Sequence, residues 1–279
     1  MASGKRIVNW RQPSVIPGFG PTLGFTVFYL SFVVLIPLAA LLLRPWSSGT
    51  AGFLAVLTSP RVLAALELSF GAAAIAALVN AGFGLLVAWT LTRYRFPFRR
   101  VLEALIDLPF ALPTAVAGIA LSALYAQKGW LGGPLGAIGI KVAYTPAGIV
   151  VALIFVGLPF VVRTLEPVLA EMPLEAEEAA ATLGATRAQT LLRIVLPALA
   201  PALLSGATMA FARGLGEYGS VIFIAGNLPM VSEIAPLVIV IRLEEYDYAG
   251  AAAIGVIMLL ASFAILLALN GLQRWLARG

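Results

Sequence analysis

Between Thr22 and Leu43 the chain sets 22 residues in succession without a single charge, and five later stretches are apolar with at most two charges each. A helix rises about 1.5 Å per residue and a bilayer core is about 30 Å thick, so roughly 20 such residues cross it. The later stretches run over about 62–92, 105–127, 146–162, 197–226 and 248–273. Glu67 is the one charge in the second, Pro109 and Pro113 interrupt the third, and Arg213 and Glu217 lie inside the fifth. The pattern predicts an all-α, polytopic membrane protein with six transmembrane helices, in which residues 22–279 form one transmembrane domain after an N-terminal segment, 1–21. No stretch remains that is long enough for a second, soluble domain.

Composition agrees and removes most chemistry. Apolar residues make up 61% and charged residues 11%, where soluble domains carry about 25% charged. With neither histidine nor cysteine in the chain, His/Cys metal sites, thiolate nucleophiles, Ser-His-Asp triads and disulfides are excluded by inventory. None of the three lysines, Lys5, Lys128 and Lys141, closes a G-x-x-x-x-G-K-[ST] loop, so the chain has no phosphate cradle of its own. No catalytic residue, metal or cofactor is expected; the chain reads as something other than an enzyme.

The basic residues lie between apolar stretches, which points to membrane topology and away from nucleic acid. Lys5, Arg6, Arg11, Arg93, Arg95, Arg99, Arg100, Arg163, Arg187, Arg193, Arg274 and Arg278 fall on one side; Arg44, Arg61, Lys128, Lys141 and Arg242 fall on the other. The excess of positive charge marks the cytoplasmic side, so both termini are expected there. The first apolar run is longer than a cleavable leader and ends without a clear small-residue cleavage site, which reads as an uncleaved signal anchor.

One cytoplasmic segment, 163–196, holds five glutamates and three arginines and cannot lie in hydrocarbon. Pro173 can open a helix whose first turn takes Glu175, Glu177 and Glu178, where the helix dipole favours anions. Gly184 permits a stop or sharp bend, and Thr186 to Val195 then reads as a second short amphipathic helix before Pro197 opens the fifth span. A helix pair with a glycine elbow is built to dock onto a partner.

The spacing here carries a resemblance. Glu178-Ala179-Ala180, three residues, Gly184, nine residues, Ile194, one residue, Leu196-Pro197 resembles the EAA loop of ABC importer permeases. Three further stretches, Ala88 to Pro97, Asp107 to Gly118 and Gly214 to Asn227, make the chain similar, from Thr22 onward, to the sulfate/thiosulfate branch of that family. Molybdate permeases share versions of the proline-rich and Gly-Leu-Gly-Glu segments, but the Arg-Tyr-Arg-Phe-Pro run at 93–97 together with 222–227 favours the sulfate branch.

The resemblance implies a type I ABC importer permease (MetI-like) fold in a bacterial inner membrane. It implies CysA-like ABC ATPase subunits that engage Glu178, Ala179, Ala180, Gly184, Ile194, Leu196 and Pro197. It also implies a CysW-like second permease sharing the pathway, a periplasmic sulfate-binding protein that delivers the anion, and alternating access driven by ATP. A molybdate or tungstate permease of the same class is the alternative cargo. An ion-coupled secondary anion carrier is the rival class, and it leaves the acidic loop without a use.

Charges within the apolar stretches need a partner or a water-filled cavity. Arg213 and Glu217 are four apart and share a face if the helix is regular. They either neutralise each other as a packing pair or, loosened by Gly214, Gly216 and Gly219, leave Arg213 to attract a dianion in the pathway. Asp107 and Glu67 read as interfacial or packing groups. Pro109 and Pro113 should kink the third helix and free carbonyls, which makes them gate candidates. The segment from Asn227 to Asp247 is too short to span; it reads equally as a surface helix for a binding protein or as a loop packed on the bundle.

Overall fold

The computed structural model describes residues 18–276; the basic residues Lys5, Arg6, Arg11 and Arg278 lie outside them. Every regular element among these residues is helical. Helix α1 (Phe19–Leu30) passes through a π turn, Ser31–Leu35, into α2 (Ile36–Leu43). A 3-10 turn, Arg44–Ser48, then leads into α3 (Gly49–Leu57). The π turn has a local cause. Pro37 lies two residues past its end, and proline lacks an N–H and crowds the carbonyl four residues back, so the wider turn takes up the misfit before the α register resumes.

The bundle is centred on three long helices, α4 (Pro60–Arg93), α8 (Pro146–Glu171) and α11 (Leu196–Leu215). In a membrane lipid tails are as apolar as leucine, so helices gain most from close backbone approach across small residues. The buried face of α4 shows this, with Ala65, Ser69, Ala72, Ala73, Ala76, Ala77, Gly84 and Ala88. Val161 of α8 is fully buried and wedged between two glycines. A Cβ added at Gly84 would lie 2.8 Å from Val161 Cγ1, and one at Gly206 of α11 would lie 2.9 Å from Val161 Cα. Asn80, wholly buried on α4, donates from Nδ2 to the Ile154 carbonyl of α8 at 3.1 Å.

The single kinked span expected over 105–127 is two helices. Helix α5 (Arg99–Ala111) and helix α6 (Thr114–Tyr125) meet at 115°. Pro109 sits inside α5 and Pro113 at the break; Pro113 forces Leu112 out of the helical region, to ψ 135°, which turns a kink into a corner. Short α7 (Gly132–Ala137) follows. Among the described residues five helical stretches are long and apolar enough to cross a membrane, or six if the bent pair counts as one.

Helix α8 continues to Glu171, so Arg163 and Glu166, expected in a loop, are helical. Beyond it come α9 (Glu175–Thr182) and α10 (Arg187–Thr190). The second short helix is not separate: α10 runs through a π turn, Leu191–Val195, straight into α11. Pro197 follows that turn as Pro37 follows the first. Helix α11 ends at Leu215, before Glu217; then come α12 (Val221–Ile224), α13 (Ala235–Glu244) and α14 (Tyr248–Leu276).

Candidate functional site

The elbow between α9 and α10 is built from local hydrogen bonds. Gly184 takes φ +81°, and its N–H donates to the Ala181 carbonyl while the Ala185 N–H donates to that of Ala180, both at 3.0 Å. This six-to-one plus five-to-two pattern satisfies the last carbonyls of α9 and requires a left-handed residue, which glycine supplies without strain. Thr186 then starts the next helix: its Oγ1 accepts from the Gln189 N–H, and Gln189 Oε1 accepts from the Thr186 N–H. Glu175, Glu177 and Glu178 occupy the first turn of α9.

Exposure around this elbow is lopsided. Ala180 is buried, whereas Glu178, Ala179, Gly184 and Pro197 are exposed, and Ile194 and Leu196 are half-buried. Leu183, at the tip, is 87% exposed. A cleft of about 330 Å³ lies beside it, lined by Leu183, Gly184, Gln189, Arg193 and Ile194. A glutamate, an apolar knob and a cleft are thereby presented together on an ordered turn.

At the far end of α11 the structure brings Arg213 and Glu217 together, although Glu217 lies past the helix end. Arg213 Nη1 stands 2.6 Å from Glu217 Oε2. The other carboxylate oxygen, Oε1, accepts from both the N–H and the Oγ of Ser220 at 2.9 Å. Glu217 is 2% exposed and Arg213 35%. Both oxygens of Glu217 are occupied, and they pin the break that Gly214, Gly216 and Gly219 allow. The α12 side of this break touches α6: a Cβ on Gly118 would overlap the Ser220 backbone. The corner at Pro113 and the break after Leu215 are therefore packed against each other, while Pro109 lies on the α5 side of the corner.

Two ion-pair clusters were not visible in the sequence. Arg163 of α8 grips both carboxylate oxygens of Asp107 on α5 and, through Nη1, Glu166 Oε2 at 2.6 Å. Beside them opens a cleft of about 580 Å³ lined by Thr92, Arg93, Arg99, Glu103, Arg163 and Glu166. Arg61 of α4 holds Glu233 with two bonds, Nε to Oε2 at 2.8 Å and Nη2 to Oε1 at 2.6 Å. Asp107 as a packing group agrees with the first cluster; Glu67 is exposed on α4. With Ser69 Oγ accepting from the Ala235 N–H and with Ala235, Leu237 and Val238 buried, the segment 227–247 is packed on the bundle. Each of its two readings holds in part: the segment carries a helix, α13, and that helix is packed on the bundle.

Residues 80–279 match the family described as the binding-protein-dependent transport system inner membrane component. The chain is 49% identical over 259 residues to the sulfate transport system permease protein CysT of Salmonella typhimurium, covering 93% of this chain and 94% of that protein. The CysT protein of Synechococcus elongatus is 47% identical, with 91% of each chain covered. Among solved structures, a bacterial ABC transporter involved in the import of alginate superposes with TM-score 0.75 at 16% identity, covering 91% of this chain and 94% of that one. The MetNI methionine ABC transporter superposes with TM-score 0.55 at 18% identity, covering 77% of this chain and 94% of that one.

A helical bundle of this topology, with an ordered elbow projecting from it, defines a type I ABC importer permease, a transporter subunit and not an enzyme. The chain belongs to the binding-protein-dependent transport system inner membrane component family, and is a multi-span protein of the inner membrane.

Proposed function

We propose that this chain is one of two permease subunits of an ATP-driven importer of sulfate and thiosulfate. The observation that carries the reading is identity of 49% to CysT across nearly the whole length of both chains. A CysW-like permease would complete the pathway, CysA-like ATPase subunits would drive it, and a periplasmic binding protein would deliver the anion. Both termini and the α9–α10 elbow face the cytoplasm in this reading, because the arginine-rich connections lie on that side.

The elbow is the coupling device. Glu178, Ala179, Ala180 and Gly184 enter a groove on the ATPase with Leu183 as the apolar knob, and Ile194, Leu196 and Pro197 fix the helix that returns to the bundle. Because α10 continues into α11, displacement of the elbow acts directly on the helix that carries Arg213 in its last turn. There Glu217 holds the break closed, and the exposed part of the Arg213 guanidinium offers positive charge to a passing dianion. Pro109 and Pro113 set the corner against which the break rests, so the two move as a gate. Tight anion binding is left to the delivering protein, since a pathway that held a dianion firmly would not release it.

The test is purification of the tagged chain from gently solubilised membranes, followed by radiolabelled sulfate uptake in proteoliposomes holding whatever copurifies. Recovery of an ATPase and a second permease, with uptake that needs ATP and the binding protein and that excess molybdate leaves intact, supports the reading. Uptake by the lone chain without ATP overturns it in favour of a carrier, and competition by molybdate overturns the cargo.

A further inference from the structure

Helix α9 is held to the bundle by a charge that the proposed coupling reaction does not yet use. Arg93, the last residue of α4, donates from Nη2 to Glu177 Oε1 at 2.9 Å, across 84 positions of sequence. Its guanidinium carbon lies 5.4 Å from the centroid of the Trp89 ring, one turn back on the same helix. The two side chains are 16% and 25% exposed. Among the described residues this is the one ion pair that ties α9 to any other helix.

The neighbouring acids behave differently. Glu175 and Glu178 are exposed on α9 and Glu177 is half-buried, turned to Arg93. Adjacent glutamates thus point opposite ways, one outward to whatever docks and one inward to the bundle. A loose surface pair transmits little, because two long side chains can rearrange. Here the planar guanidinium is fixed from a second side by the indole face, which restricts it as an ammonium on a free stem would not be restricted. Arg93 also stands at the C-terminus of α4, where the helix dipole favours a cation. Its Nε is buried without a hydrogen-bond partner, so that edge of the guanidinium faces the bundle and not solvent.

We infer that Arg93 and Glu177 form a strut that carries displacement of α9 into α4, with Arg93 a positioning residue for coupling. The inference rests on the reading of α9 as the ATPase-docking helix. Motion of the elbow then enters the bundle by two routes, along the chain through α10 into α11 and across the strut into α4. As α4 packs against both α8 and α11, the second route keeps the three helices moving together.

The experiment uses the complete complex reconstituted in proteoliposomes, with sulfate imported per ATP hydrolysed as the readout and copurification of the ATPase as the control. Arg93→Gln and Glu177→Gln should each copurify the ATPase normally yet lower the import ratio about fivefold, within the range for one link of a coupling network. The exchanged pair Arg93→Glu with Glu177→Arg, which restores the charge pairing but not the stacking on Trp89, should recover part of that loss, and Arg93→Lys, which keeps the charge and the stacking partner, should lose less than Arg93→Gln. An unchanged ratio in both single variants, or loss of ATPase copurification in them, overturns the strut. If neither the exchanged pair nor Arg93→Lys exceeds the single glutamine variants, the strut is overturned as well. Gly184→Trp separates the two claims: if it still copurifies the ATPase and couples normally, the docking role of α9 is what fails.

Discussion

Asp107 on α5 and Arg163 on α8, 56 positions apart, meet in a two-pronged ion pair in which Nε and Nη2 of the arginine engage the two carboxylate oxygens. Arg163 also holds Glu166 on its own helix, so one cation offsets two anions. Because the side chains of Arg163 and Asp107 are 36% and 44% exposed, solvent screens the pair. Arg163→Gln is expected to cost about 1 kcal/mol, more than Asp107→Asn, since it leaves two carboxylates unpaired. Thermal unfolding in detergent checks the order; equal effects would show that Glu166 gains nothing from Arg163.

Gly184 has open space where a side chain would go but a backbone that side chains disfavour. Conformation, not volume, therefore sets the ranking of substitutes. Asparagine tolerates the left-handed region and should preserve most uptake, whereas valine, β-branched, should cost about 1–2 kcal/mol at the elbow and abolish coupling. Uptake assays on membranes with matched protein levels test this; equal activity of the asparagine and valine variants would remove the conformational argument.

Glu217 is buried with both oxygens engaged, so Glu217→Gln breaks an ion pair while leaving an acceptor for Ser220. The expected cost is about 2 kcal/mol, below the range for a fully buried pair because Arg213 retains access to solvent. Adding Arg213→Gln should restore part of the loss, since the unpaired cation is then gone. Denaturation of the single and double variants gives the coupling energy; a strictly additive double variant would show that the two charges do not communicate.

Asp247, just before α14, accepts the Gly250 N–H at 2.8 Å and Arg242 Nη1 at 2.6 Å. The backbone donor first and the guanidinium second hold its carboxyl below the usual carboxylate range, against the opposing effect of burial. A depressed folded value means that the unfolded state binds the proton more readily. The contribution is present above the unfolded value of about 4 and is lost as pH falls through the folded one. Melting curves between pH 7 and pH 3 should therefore fall less steeply for Asp247→Asn than for the parent.

What the sequence made legible was local. The acids in the first turn of α9 and the stop at Gly184 act over a few residues, and the structure shows both where the spacing predicts; the capping box at Thr186 is equally local but was not read from the sequence. The length of α8 was not legible, because Arg163 and Glu166 read as loop charges until Arg163 is seen to pair with both Glu166 and the distant Asp107. The corner at Pro113 was legible as a disturbance but not as 115°, because the close approach of Gly118 on α6 to the Ser220 backbone, beyond the reach of local sequence, accompanies it. Glu233 resembled a surface charge until Arg61, 172 positions away, covered it.

The π turn at Leu191–Val195 fixes a phase as well as a length. One residue of an α-helix corresponds to about 100° of rotation, so the extra residue that precedes Pro197 determines which way the elbow points from the bundle. Removing a single residue there would leave α9, Gly184 and α11 chemically intact while turning the elbow about a quarter of a revolution aside. The direction in which the elbow leaves the bundle is thus written in one residue of helical register.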